Sequence, residues 1–287
     1  SSLRMNFLMS CCGSVIVSRA EGLCSPDWWK PMTDSTKQAY SKIIGACREH
    51  GVTFCFSLYP QLASPRPFDP GSAEDIAALY QHFAWAQSRE IQWFGLCFGG
   101  AGWGLNGPTA GACVHAELVN KIFNRLRAVD RGAQLIFSPA ASWGDGSNPE
   151  HRAYLEALAQ HMDPDVYVFW NGDGVVTPRI TRVAAESYKS VVKHRLFLWD
   201  NYPVNDANPT LHLGPVRGRE PDLCEVIDGY ISNSMCTQNQ INRIPLATCA
   251  DYACNPRAYD PARSIGQAIL RLGKTSAQQQ VLKDMVE

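Results

Sequence analysis

The chain has 287 residues, of which 45% are hydrophobic and 18% charged, and its 26 basic and 27 acidic residues give a formal net charge of −1. This composition excludes an intrinsically disordered chain, and the lack of a basic excess argues against a protein that binds nucleic acid by neutralising phosphates. No stretch approaches the roughly 20 apolar residues of a membrane span, so we expect a globular protein without membrane or nucleic-acid partners.

Short apolar runs alternate with longer amphipathic segments along the whole chain. The runs that predict strands lie at residues 5–9, 52–59, 93–98, 134–138, 166–170, 195–199 and 229–233. The segments that predict helices lie at residues 35–50, 73–89, 115–129, 150–162, 180–193 and 238–254, with a short helix near 221–227 and a helical tail at 264–286. Because consecutive parallel strands need a crossover between them, this alternation predicts a parallel sheet.

The number of predicted strands is seven, one short of the eight that close a TIM-type barrel. A doubly wound open sheet also alternates strands and helices, so the count alone does not decide between the two folds. The polar and aromatic residues concentrate after the strands, where a barrel builds its active site, and this favours the barrel. We predict one barrel domain at residues 1–262, followed by a helical tail at 263–287.

Cysteine and histidine patterns do not indicate a metal site. The eleven cysteines include no Cys-x-x-Cys pair, and the seven histidines show no metal-ligand spacing. Buried cysteines in a reducing compartment are therefore the simplest interpretation. The first 14 residues lack the basic start of a signal peptide, so we expect a cytoplasmic protein; an extracellular location stays open if the N-terminus has been processed.

A glycine-rich segment follows the third predicted strand. Gly102, Gly104 and Gly107 fit the pattern G-x-G-x-x-G, which is typical of dinucleotide sites. Pro108 follows, the next helix is predicted to begin only near His115, and no acidic residue stands about 20 positions on to bind a ribose. The sequence therefore predicts a pocket-lining loop and no nucleotide or other cofactor.

Two loops that follow strands carry the strongest signal for a binding site. Residues 198–206 read Leu-Trp-Asp-Asn-Tyr-Pro-Val-Asn-Asp, and residues 170–174 read Trp-Asn-Gly-Asp-Gly. Amides and carboxylates bond sugar hydroxyls, and an indole covers the apolar face of a pyranose. A turn rich in Asn, Asp and Pro is the structural alternative, but the repetition favours a pocket that includes Trp170.

These segments resemble glycoside hydrolase family 84, the β-N-acetylglucosaminidases that include protein O-GlcNAcases and bacterial hyaluronidase-like enzymes. The resemblance spans nearly the whole chain and is densest at residues 169–176, 198–206, 213–215, 229–233 and 250–256. It implies a (β/α)8 TIM-type barrel, substrate-assisted cleavage and a site for a terminal N-acetylglucosamine. The first strand of the family is not evident, so it is absent or disguised here.

The resemblance assigns the sugar-binding residues individually. Trp199 resembles the tryptophan of the pocket wall, Asn201 and Asp206 resemble the amide and the carboxylate that hold the sugar, and Asn233 resembles the asparagine on the last strand. All four are intact. The resemblance thus implies a carbohydrate ligand of the N-acetylglucosamine type; the oligomeric state is left open.

The catalytic half of the resemblance is missing. The family has two consecutive aspartates where this chain has Gly99 and Gly100, and glycine can neither orient an acetamido group nor donate a proton. We therefore expect a sugar-binding, hydrolytically impaired pseudo-glycosidase. The alternatives are a glycosidase that uses relocated carboxylates such as Asp173, with Asp145 after the preceding strand, and a structural or partner-binding subunit.

Overall fold

The computed structural model describes residues 5–10, 28–60, 64, 66–99, 102–104, 106–206, 210–235 and 238–286. Its strands are β1 (Phe7–Met9), β2 (Thr53–Leu58), β3 (Trp93–Cys97), β4 (Gln134–Ser138), β5 (Tyr167–Trp170), β6 (Leu196–Asp200) and β7 (Gly229–Ser232). Its α-helices are α1 (Asp34–Glu49), α2 (Ala73–Gln87), α3 (Gly107–Val129), α4 (Pro149–His161), α5 (Arg182–Val192), α6 (Arg243–Cys254), α7 (Pro261–Leu272) and α8 (Ser276–Val286). Short 3-10 helices lie at Pro221–Glu225 and Pro256–Ala258.

The seven strands form one parallel sheet in sequential order, β1-β2-β3-β4-β5-β6-β7. A helix crosses over between most neighbouring strands, so the sheet curls into a nearly closed TIM-type barrel, as predicted. Within the described residues, β1 pairs only with β2 and β7 pairs only with β6. The described part of the chain therefore shows no ladder between β1 and β7.

Two apolar layers hold the barrel together, because successive side chains of a strand point to opposite faces. One layer fills the barrel interior and includes Phe169, Phe197 and Trp199. The other lies between the sheet and the helices and includes Trp170 and Leu198 from the same two strands. Phe169 and Trp170, which are neighbours in β5, thus point to opposite sides of the sheet.

Helix α3 begins earlier than the sequence predicts. It starts at Gly107, with Pro108 in its first turn, rather than near His115. Proline is tolerated there because the first amide of a helix has no intrahelical acceptor, and its fixed φ suits the helix. The predicted start is wrong, and the late start can no longer be used as an argument against a nucleotide site.

The C-terminal segment consists of α7 and α8. Helix α7 contacts α6 and buries Ala268 and Ile269, and it begins at Pro261, so the predicted boundary after residue 262 falls inside it. Among the described cysteines, Cys47, Cys55, Cys97 and Cys249 are buried. No helix in the described part of the chain is both long and apolar enough to span a bilayer.

Candidate functional site

Trp199 lies near the carboxyl end of β6, on the strand face that points into the barrel. Its ring packs edge-on against Phe169, with centroids 5.1 Å apart, and 9% of the residue is exposed. The indole Nε1 donates a hydrogen bond of 3.0 Å to Oδ1 of Asn201. The ring is therefore fixed at the mouth of the barrel, with a small part of it accessible.

Asn201 joins three loops that follow neighbouring strands. Its Oδ1 accepts from Trp199 and also from Nδ2 of Asn233 at 2.9 Å, while its own Nδ2 donates to the carbonyl of Val175 at 2.6 Å. Both lone pairs of Oδ1 and one of the two Nδ2 hydrogens are thus used. The amide has a fixed orientation and keeps one hydrogen for a ligand.

Asn233 follows β7, and its backbone N–H donates to the carbonyl of Asp200 at 2.8 Å. Among the residues that the structure describes, its side-chain Oδ1 has no hydrogen-bond donor. Asn233 and Trp199 both line a cavity of about 390 Å³ between β1, β7 and α6. An amide acceptor and the indole therefore reach the same space.

A buried ion pair stands directly behind these residues. Asp200 accepts from Nε and Nη2 of Arg219 at 2.8 and 2.6 Å, and from the hydroxyl of Tyr230 at 2.8 Å. The Asp200 side chain is 1% exposed and that of Arg219 is 6% exposed. Burial, and then the Asp200 charge, holds the pKa of Tyr230 well above its usual value, so this phenol remains a donor. The network ties the carboxyl end of β6 to Tyr230 in β7.

Sequence reasoning did not identify this network. Asp200 was recognised only as part of a polar loop, and neither Arg219 nor Tyr230 was singled out. The available signal was an acidic residue at the end of an apolar, buried strand, because a carboxylate in such a place requires a cationic or hydrogen-bonding partner.

Asp206 lies on the same loop as Asn201, five residues further on, and is exposed. It does not line the cavity beside Trp199 and Asn233. Trp170 is fully buried in the layer between sheet and helices, where its ring lies 6.0 Å from that of Tyr188. Its Nε1 donates to the carbonyl of Gly144. Of the predicted binding residues, the structure thus brings together Trp199, Asn201 and Asn233.

Gly99 lies two residues after Cys97, the last residue of β3, at the carboxyl end of the sheet. A Cβ atom at this position would lie 3.1 Å from both the Ser138 Oγ and the Tyr59 hydroxyl, and 3.6 Å from the Ser142 Oγ. The position thus faces hydroxyl groups and carries no acid. Gly100, the other position of the predicted catalytic pair, lies outside the described residues.

Asp173 lines a different surface from the cavity beside Trp199. Asp173 and Asp145 line one groove of about 510 Å³, together with Trp143 and the start of α5. Burial, and then the Asp145 charge, raises the pKa of Asp173, whereas hydrogen bonds from Ser147 lower the pKa of Asp145. Within the described part of the chain, no group of three or more His, Cys, Asp or Glu residues is placed to hold a metal ion.

Comparison with known proteins gives consistent matches. Protein O-GlcNAcases of Rattus norvegicus and Mus musculus are each 22% identical to the chain over 218 residues, which are 73% of this chain and 23% of each relative. The structure of a mutant O-GlcNAc hydrolase from Thermobaculum terrenum superposes with a TM-score of 0.86 at 24% identity, over 99% of this chain and 59% of that chain. The chain therefore spans about a quarter of the length of the two mammalian relatives.

The family comparison covers most of the sequence. The model described as beta-N-acetylglucosaminidase (NAGidase) matches residues 22–287. This range includes the six strands β2 to β7 and every candidate site residue described above. The chain therefore belongs to the β-N-acetylglucosaminidase family.

Proposed function

We propose that this barrel binds the terminal N-acetylhexosamine of a carbohydrate ligand and is impaired as a hydrolase. The observation that carries the proposal is the convergence of Trp199 and Asn233 on the side chain of Asn201 at the open end of the barrel. These contacts hold one indole and two amides in fixed orientations before a ligand arrives. Preorganised polar groups beside an aromatic ring suit a sugar, which has apolar ring faces and hydroxyl edges.

Asp206 extends the proposed site outward. It is exposed on the loop that Asn201 begins, and the family resemblance gives its carboxylate the role of holding ring hydroxyls. The name of the Thermobaculum terrenum relative, an O-GlcNAc hydrolase, supports an N-acetylglucosamine-type ligand.

The proposed loss of hydrolysis rests on the carboxyl end of β3. Gly99 has no side chain, and the groups around its Cβ position are the hydroxyls of Ser138, Tyr59 and Ser142. Hydroxyl groups do not protonate a leaving oxygen efficiently near neutral pH, and a positioned general acid is typically worth about 10²–10⁴ in rate. A chain without the carboxylate pair is therefore expected to turn over substrate far more slowly than an intact glycosidase.

Binding is tested by isothermal titration calorimetry with N-acetylglucosamine. We expect saturable binding, and Asn233→Ala should weaken it about three- to tenfold, since it removes one neutral hydrogen-bonding group. Asn124→Ala, on the exposed face of α3, is the matched control and should bind like the unchanged chain. Absence of saturable binding by a folded protein would refute the recognition half of the proposal.

Hydrolysis is tested with an aryl N-acetyl-β-glucosaminide. The unchanged chain should show turnover close to the uncatalysed rate, and the double substitution Gly99→Asp and Gly100→Asp should raise it. Gly99 does not have a positive φ, and the neighbouring hydroxyl groups can rotate or shift to admit a carboxylate. Turnover by the unchanged chain at a rate typical of glycosidases would refute the impairment.

A second candidate function is a glycosidase with relocated carboxylates. The favouring observation is that Asp145 and Asp173 line one groove and their pKa values move in opposite directions, as in an acid paired with a base. In the same turnover assay, Asp173→Asn would abolish the activity of such an enzyme. Under the first proposal, the same substitution leaves the low rate unchanged.

A further inference from the structure

The groove that contains Asp145 and Asp173 has the features of a second ligand site. It is lined by residues 143–148 after β4, by Asp173 after β5, and by residues at the start of α5, and it encloses about 510 Å³. It shares no lining residue with the cavity beside Trp199. Any ligand bound in the groove is therefore separate from the sugar of the proposed function.

An indole ring forms one wall of the groove. Trp143 is 37% exposed, which is unusual for so large an apolar side chain. Its ring is held edge-on by His151, with centroids 4.8 Å apart, and His151 in turn contacts the ring of Trp103 at 5.7 Å. The indole is thus an accessible surface in a fixed position, as aromatic platforms for ligands are.

Among the described residues, the two carboxylates that line the same groove as this indole form no salt bridge. Asp145 accepts from the backbone N–H of Ser147 at 2.9 Å, and no described Lys or Arg forms a salt bridge with Asp145 or Asp173. The charge of Arg152 acts on Asp145, and Arg152 itself pairs with Glu156 at 3.2 Å. The charges of Arg179 and Glu220 act on Asp173, and these two side chains pair with each other at 2.7 Å. Each arginine forms its ion pair with another carboxylate, while its positive charge still favours the ionised form of the nearby aspartate.

A cation over an indole between two carboxylates is stabilised by cation–π attraction and by direct charge attraction. Part of the remaining polar lining is already engaged, because Asn148 Oδ1 caps α4, Thr181 Oγ1 caps α5 and the Ser187 hydroxyl donates to the Asp145 carbonyl. The second lone pairs of the hydroxyl oxygens and the Nδ2 group of Asn148 are left, and these suit a hydroxylated ligand better than an aliphatic chain. We propose that this groove binds a protonated amino sugar, a hexosamine with a free amino group. The ammonium would lie between Asp145 and Asp173, and the pyranose ring would contact Trp143.

The test uses the unchanged chain labelled with 5-fluorotryptophan and observed by fluorine NMR. The eight tryptophans give separate probes, and Trp143→Phe and Trp199→Phe assign the signals of the groove and of the cavity. D-glucosamine hydrochloride is titrated at pH 7 and constant ionic strength, in parallel with N-acetylglucosamine and with Nα-acetyl-lysine methylamide. We expect a saturable shift of the Trp143 signal with glucosamine, at least about fivefold tighter than with either other probe.

Substitutions then test the charges. Asp145→Asn and Asp173→Asn should each weaken glucosamine binding about threefold or more, whereas Glu74→Gln, an exposed charge on α2, should not. A Trp143 signal that does not shift saturably, or shifts equally with N-acetylglucosamine, overturns the proposal. Equal or tighter binding of the lysine amide also overturns it, because the groove would then select a peptide cation. The Trp199 signal reports the proposed function separately, so the failure of one site is distinguishable from the failure of the other.

Discussion

Arg219→Met removes the cationic half of the buried pair behind the candidate sugar site. Asp200 then keeps the Tyr230 hydroxyl as a donor but loses two charge-assisted bonds of 2.8 and 2.6 Å, while its side chain remains 1% exposed. Breaking a buried pair in this way costs about 3–5 kcal/mol, because an uncompensated charge is left in the interior. We expect a loss of that size in the free energy of unfolding.

The same loss can be expressed as a melting temperature. At about 2 cal/mol/K per residue, unfolding of the 287-residue chain has an entropy of about 0.6 kcal/mol/K, so Tm should fall by about 5–8 °C. Differential scanning calorimetry measures this directly. The double substitution Arg219→Met with Asp200→Asn should recover part of the loss, because it removes the charge that the single substitution leaves unpaired.

The matched control is Arg152→Met, which breaks the half-exposed pair between Arg152 and Glu156 on α4. Such helical surface pairs contribute at most about 0.5 kcal/mol, so its Tm should change by about 1 °C or less. If Arg219→Met lowers Tm no more than this control, the reasoning from burial is refuted. Sugar binding provides a second readout, because Asp200 lies between Trp199 and Asn201 in the chain.

Two further predictions concern a buried base and a close backbone contact. Burial lowers the pKa of His115 to about 4, so the chain should lose stability as pH falls below about 6.5. Because of this group, the free energy of unfolding measured with urea should be about 2 kcal/mol lower at pH 5 than at pH 7. His115→Gln, which can still bond Tyr154, should reduce this pH dependence, and an equal pH dependence in both proteins contradicts the assignment. Gly111→Ala should lower the free energy of unfolding despite the better helix propensity of alanine, because its Cβ would lie 2.3 Å from the carbonyl oxygen of Trp103. Gly45→Ala, in the middle of α1 where no atom lies within 4 Å of the added Cβ, should instead raise the free energy of unfolding by about 0.5–1 kcal/mol. Chemical denaturation that gives both variants the same change in stability would contradict the packing argument.

The order of strands and helices could be predicted from the sequence, because hydrophobic periodicity and loop composition are local properties. The orientation of side chains within a strand could not be predicted in the same way. Phe169 and Trp170 are adjacent and both apolar, so the sequence does not indicate which of them faces the barrel interior. The register of β5 against β6 decides it, and Trp170 lies on the side of the helices.

The candidate site depends on contacts between distant segments. The amides of Asn201 and Asn233 are 32 residues apart and meet only because β6 and β7 are neighbours in the sheet. The family resemblance predicted both residues, but not that one side chain bonds the other. The early start of α3 was missed for a local reason: glycine and proline usually interrupt helices, yet Pro108 occupies the one turn where it is tolerated.

In the part of the chain that the structure describes, the two sides of the cavity beside Trp199 are held by unequal sets of contacts. Strands β6 and β7 are tied by the Asp200 network, whereas β1 has three residues and a single described ladder, to β2. Separating β1 therefore requires the loss of one short ladder, whereas an inner strand would have to leave two. Among the described residues, the cavity thus has one wall held by a buried ion pair and one wall held by a single short ladder. Amide hydrogens of β1 should accordingly exchange with solvent well before those of β4.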